Sequence, residues 1–138
     1  MKVLDTDILT LLLQGHTKVV DRRRQETDVV VISIISRIEV FQGRFASLLK
    51  AANGEELKRG QQRLDRAEKD LQPFSVLEIT DAAAAGFDRL RQAKKTSMMR
   101  RNDMLITAIV QANRATLVTR NVKDFQFVHG LRIENWAD

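Results

Sequence analysis

Four carboxylates stand at the mouths of apolar segments. Asp5 follows Val3-Leu4, Glu39 lies early in ISIISRIEVF, Asp103 opens MLITAIV, and Asp124 comes after the short run that ends in Thr119-Arg120-Asn121. Carboxylates brought together in a partly buried pocket repel one another, and desolvation costs several kcal/mol per ion. A hard divalent cation removes that difficulty, because Mg²⁺ and Mn²⁺ take oxygen ligands and keep several waters. The chain has no cysteine, and its two histidines, His16 and His129, sit in glycine-flanked loops read as surface positions. An all-oxygen site therefore suits Mg²⁺ or Mn²⁺ better than zinc.

Each acid also has an ordinary structural role open to it. Asp5 can turn the chain or cap the helix that begins near Ile8. Asp7, two residues on, reads as an acid of that helix's first turn. Ser36-Arg37-Ile38-Glu39 matches the Ser-x-x-Glu capping box, which would fold Glu39 back onto its own helix end. Asn102 is a good N-cap, so Asp103 can be a helix-dipole acid worth about 0.3–1 kcal/mol. Asp124 can cap or turn the chain before Phe125.

Which role prevails depends on the elements that carry these residues. Val3-Leu4 predicts the end of a short buried strand, followed by an apolar helix that stops near Gly15 and a basic helix over 17–26. Arg22-Arg23-Arg24 should decorate the exposed side of that second helix. The β-branched run Val29-Val30-Val31-Ile32 predicts a strand covered on both faces. Helices follow over 36–52, with Gly54 as its stop, and over 55–72, ending before Pro73. Residues 74–77 read as a short strand or link. Thr80 caps a helix reaching about Lys94. Residues 103–113 are apolar on almost every face and predict a buried helix. Residues 115–119 form another buried strand and 131–133 a last edge strand. Strands alternating with helices predict an α/β fold with a mainly parallel central sheet of four to five strands and helices on both faces. In such sheets function gathers beyond the carboxyl ends of the strands, where Asp5, Glu39, Asp103 and Asp124 would converge.

The bulk numbers agree with one domain over 1–138. The absence of cysteine suits a reducing compartment. An acid at position 5 interrupts the N-terminus too early for a secretory signal, and no apolar run approaches membrane-spanning length. The expectation is a cytoplasmic protein with no membrane partner. A net charge of +5 is compatible with a polyanionic partner. With one Trp, six Phe and no Tyr, a flat aromatic platform for single strands is not expected.

The blocks VLDTDILTLLL, ISIISRIEVFQGRF, RRNDMLITAIVQANRATLVTRNVKDF and GLRIENW resemble, in order and spacing, those of PIN-domain ribonucleases, especially VapC-like toxins of toxin–antitoxin pairs. The charged stretch 51–72 is the least similar part. The resemblance implies a PIN-like fold and a metal-dependent endoribonuclease in which a metal-activated water attacks an RNA phosphodiester, leaving a 5′-phosphate and a 3′-hydroxyl. It implies that Asp5, Glu39, Asp103 and, at a more variable position, Asp124 are catalytic metal ligands. Thr6, Thr119 and Asn121 match polar residues of the same rim. Arg100, Arg101, Lys94, Lys95 and Arg120 are candidates for the RNA backbone, each also readable as a solvated surface charge. A homodimer and a cognate antitoxin are implied as partners.

Two rivals remain at this level. Asp5-Thr6-Asp7 is the Asp-x-Asp that haloacid-dehalogenase-like phosphatases place after their first strand. However, Leu9 stands two residues after the second aspartate, where a Gly-Thr or a Thr/Val is usual, and no catalytic lysine with a following acid pair is seen. A non-catalytic PIN domain that only binds RNA or protein is the other, and the intact four acids argue against it. No Gly-rich phosphate loop occurs.

Overall fold

The computed structural model describes residues 1–138. Five short strands form one sheet: β1 (Lys2–Leu4), β2 (Val30–Ser33), β3 (Val76–Leu77), β4 (Thr116–Val118) and β5 (Arg132–Glu134). Their spatial order is β3-β2-β1-β4-β5, and every pairing is parallel. Six helices complete the chain: α1 (Thr6–Leu13), α2 (Thr17–Gln25), α3 (Ile34–Leu49), α4 (Gly54–Leu71), α5 (Asp81–Gln92) and α6 (Arg101–Ala112). The α/β fold expected from the sequence, with its parallel sheet, is the fold observed. No helix is long and apolar enough to cross a membrane.

Successive strand residues face opposite sides, and the two cores follow from that alternation. Leu4, Val30, Ile32 and Val118 pack with Ile8, Leu9 and Val19 on one face, where Ala67 and Leu71 of α4 also lie. Val3, Val31 and Leu117 pack with Ile35, Ile106, Ile109 and Phe125 on the other. Central strands buried on both sides explain why they read as unbroken apolar runs. Full burial of one such side chain stabilises by about 1.5–3 kcal/mol.

Helix starts differ from the sequence expectation in three places. α3 begins at Ile34, directly after β2, and its N-cap is Ser33, which accepts from Ser36 N at 3.2 Å. Ser36 is therefore already helical, and the capping box with Glu39 does not form. Ser33 wins because it is the last strand residue and already has the extended backbone an N-cap needs. α6 begins at Arg101, since Met104 N reaches back to Arg100 O at 3.0 Å. Asn102 thus lies inside the first turn and does not cap. Gly54 opens α4, with Asn53 capping at Glu56 N, 2.9 Å, instead of closing α3.

Two surface expectations also change. His16 is half-buried, and its Nδ1 accepts from Val19 N at 3.4 Å as the cap of α2. Arg22 is half-buried too: its guanidinium lies 5.2 Å from the Trp136 ring centre and pairs with Glu26 and Glu134. For His16 the partner is three residues on, whereas Arg22 adds Trp136 and Glu134, over a hundred residues away, to the local Glu26.

Candidate active site

The strand register builds the site. Leu4 of β1 lies between Ile32 of β2 and Val118 of β4. The residues that leave these strands, Asp5, Ser33 and Thr119, therefore emerge on one rim. Asp5 N donates to Val118 O at 2.8 Å, one step beyond the ladder, and fixes Asp5 beside Thr119. Asp5 is both a helix cap and a rim acid. Its Oδ1 accepts from Thr6 N at 2.8 Å and its Oδ2 from Thr119 Oγ1 at 2.8 Å. Thr119 is fully buried, and its Oγ1 accepts from Asn121 N at 3.1 Å. A single hydroxyl thus couples Asp5 to the turn after β4.

A second polar chain positions Glu39. Thr6 Oγ1 lies 2.8 Å from Glu39 Oε1 and 2.9 Å from Ser36 Oγ. A hydroxyl has one proton to give, so Thr6 donates to the carboxylate and Ser36 donates to Thr6. Glu39 is held toward α1, away from its own helix end.

Asp7 belongs to this rim as well, which the sequence reading missed. Its Oδ1 accepts from Ile8 N at 2.7 Å and its Oδ2 from Arg120 N at 3.0 Å, with Thr119 Oγ1 at 3.5 Å. The Asp-x-Asp spacing was the only available signal. Its partners come from a loop more than a hundred residues away.

The charges of these acids act on one another. Burial pushes the Asp5 carboxyl up to about 7, helped by the charges of Asp7 and Asp103 and opposed by the bonds from Thr119 and Thr6. Asp7 is raised by burial. Asp103, half-buried in the first turn of α6, is raised by burial; Arg100 pulls it down, while Asp124, Glu39 and Asp7 push it up. Asp124 is exposed in a 3₁₀ turn, Val122–Asp124. None of the five acids has a basic side chain within ion-pair distance, in contrast to Glu134 or Asp70. The side chains stand apart, with no group of three or more gathered tightly enough to hold an ion as they are placed.

The basic candidates divide. Arg100 is exposed and feels Asp103. Arg101 turns away, its guanidinium 5.1 Å from the centre of the Phe87 ring on α5. Arg120 gives its backbone N–H to Asp7, while its guanidinium lies 3.7 Å from Asp138. Lys94 and Lys95 line a different cavity, which contains none of the rim acids and reaches Gln111 near the end of α6.

The PIN domain family matches residues 2–128. Ribonuclease VapC2 of Rickettsia felis is 38% identical over 68 residues, 46% of this chain and 51% of that protein. Among solved structures, VapBC-1 from nontypeable Haemophilus influenzae has a TM-score of 0.80 at 23% identity, covering 99% of this chain and 98% of the other. A toxin–antitoxin complex from Klebsiella pneumoniae has a TM-score of 0.71 at 26% identity, covering 95% of each chain.

Proposed function

The chain belongs to the PIN domain family, and from that premise we propose that it is a single-domain, Mg²⁺- or Mn²⁺-dependent endoribonuclease, the VapC-like toxin of a cytoplasmic toxin–antitoxin pair. The relatives named ribonuclease VapC2 and toxin–antitoxin complex support the reading. The observation that carries it is uncompensated charge. Asp5 is only 6% exposed and has no cationic partner, and burial, with the charges of Asp7 and Asp103 added, raises its pKa. A buried acid in that company calls for a cation.

The donor set fits a hard ion. Asp5, Glu39, Asp103 and Asp124 offer oxygen alone, while His16 caps α2 and His129 is exposed on another side. When bound, a divalent ion lowers the pKa of water and offsets charge on the scissile phosphate. The chain's own part is orientation. Thr119 aims Asp5, the Ser36–Thr6 pair aims Glu39, and the first turn of α6 presents Asp103. Asp7 holds the turn after β4 in place through Arg120 N. Arg100 is the cation placed to meet the RNA backbone. No side-chain nucleophile is required.

Incubation of the purified protein with total RNA, with Mg²⁺ or with EDTA, tests the proposal. Cleavage is expected only with Mg²⁺, leaving 5′-phosphate and 3′-hydroxyl ends. Asp103→Asn should abolish it while leaving the melting temperature within a few degrees, since a helix-dipole acid contributes under about 1 kcal/mol. Full cleavage in EDTA, or a wild-type rate in Asp103→Asn, would return Asp103 to a structural role.

A further inference from the structure

A cavity of about 350 Å³ opens beside the C-terminal half of α6. It contains none of the rim acids. Gln111, which lines it, lies eight residues beyond Asp103, roughly 12 Å along the helix axis. Arg89, Lys94 and Lys95 line it, no acidic residue does, and none of these three cations is in an ion pair. Phe127 contributes a ring that is 41% exposed, and the exposed His129 lies next to it.

The backbone shapes the cavity as well. Gly86 of α5 faces Ala108 of α6, where a Cβ would make ordinary van der Waals contact at 3.8 Å from Ala108 Cβ. The Arg89 guanidinium lies against the same position, its Nη2 3.6 Å from where that Cβ would stand. Gln111 Nε2 donates to His129 O at 3.3 Å, so its amide oxygen is left free to accept. Thr96, fully inside, ties the Lys94-Lys95 segment to Leu90 O at 2.6 Å.

Three unpaired cations, an exposed aromatic ring and a free amide oxygen are the complement of a nucleotide: phosphate, base face and base edge. We propose that this cavity is a second RNA subsite, holding one nucleotide of the strand away from the rim acids, with Phe127 under the base and Lys94, Lys95 and Arg89 on its phosphates. The inference rests on RNA being the ligand of the rim. It gives the enzyme a grip on its substrate that is separate from the reacting bond.

Binding in EDTA tests this without turnover, so a failure here is distinguishable from a failure of cleavage in Mg²⁺. The probe is a fluorescein-labelled single-stranded RNA decamer, titrated at several salt concentrations, with AMP as a competitor. Lys94→Gln/Lys95→Gln should weaken binding and flatten the slope of log affinity against log salt by about 1.4, at roughly 0.7 per phosphate contact. Phe127→Leu should weaken binding about five- to a hundredfold, the range for a base–aromatic stack. These side chains are exposed, and melting temperatures should not move. Unchanged affinity and slope in the lysine variant would overturn the subsite. A loss confined to the lysines, with Phe127→Leu neutral, would overturn the nucleotide reading in favour of charge alone. AMP that competes at the decamer's own affinity would assign the cavity to free nucleotides and overturn the strand assignment.

Discussion

At the scale of single residues, the clearest consequence concerns pH. In the folded chain Asp5 titrates near 7, whereas an unfolded aspartate titrates near ~4. Between those values the folded chain keeps a proton that the unfolded chain has released. Stability therefore falls as pH rises through that window, by up to about 4 kcal/mol, and stays low above it. Asp7 and Asp103 are raised in the same direction. Glu134 is the contrary case. Burial alone would raise it, but bonds from Lys2 and Trp136 bring it below the usual range. Melting curves in EDTA should show a falling melting temperature from pH 5 to 8. Asp5→Asn should flatten the curve, and Mn²⁺ should raise the wild type but not the variant at pH 8. A melting temperature that climbs with pH in both proteins would reject the buried-acid reading. These acids were partly legible in the sequence. Asp5, Glu39, Asp103 and Asp124 each stand at the edge of an apolar segment, and a parallel sheet brings such edges toward one rim. Asp7 was not legible, because a first-turn acid looks the same whether or not a distant loop lies over it.

At the scale of elements, the strands and helices were readable because apolar runs and their breaks are local. Their first residues were not. Ser33 and Ser36 are equally good caps on paper, and only the end of β2 decides between them. Asn102 failed as a cap because the backbone had already turned helical at Arg101. Gly60 shows a packing constraint that no periodicity reveals. It lies within α4, where glycine weakens a helix by about 1 kcal/mol relative to alanine. A Cβ there would come within 2.7 Å of Leu48 Cδ1 and 3.3 Å of Leu48 Cα on α3. The close crossing of the two helices depends on that missing side chain. Gly60→Val should cost about 1–3 kcal/mol through overpacking, read as a lower urea midpoint. An unchanged midpoint would mean that the helix pair can slide apart freely.

At the scale of the whole molecule, two helix pairs leave apolar surface open. Phe45, Leu49 and Leu57 are exposed on α3 and α4, at 53, 70 and 49%. Ile79, just before α5, and Met98, in the link between α5 and α6, are 51 and 91% exposed. Separate patches allow two partners at once, in keeping with the homodimer and antitoxin that the sequence resemblance implies. Light scattering at micromolar concentration should give twice the chain mass, and a monomeric mass would count against the dimer. The end of the chain has a further consequence. Thr119, which aims Asp5, gives its backbone N–H to Glu134 O at 2.9 Å. Glu134 in turn receives Lys2, Arg22 and the Trp136 indole, and Trp136 is buried in the first core. Every rim acid is synthesised before these residues, yet the rim is braced by them. A chain growing on the ribosome thus carries all its acids for some time without the strand that braces Thr119. A version ending at Gly130 should keep each acid and lose both cooperative melting and cleavage. The order of synthesis would then act as a safety catch, keeping a growing nuclease harmless to the RNA that is making it.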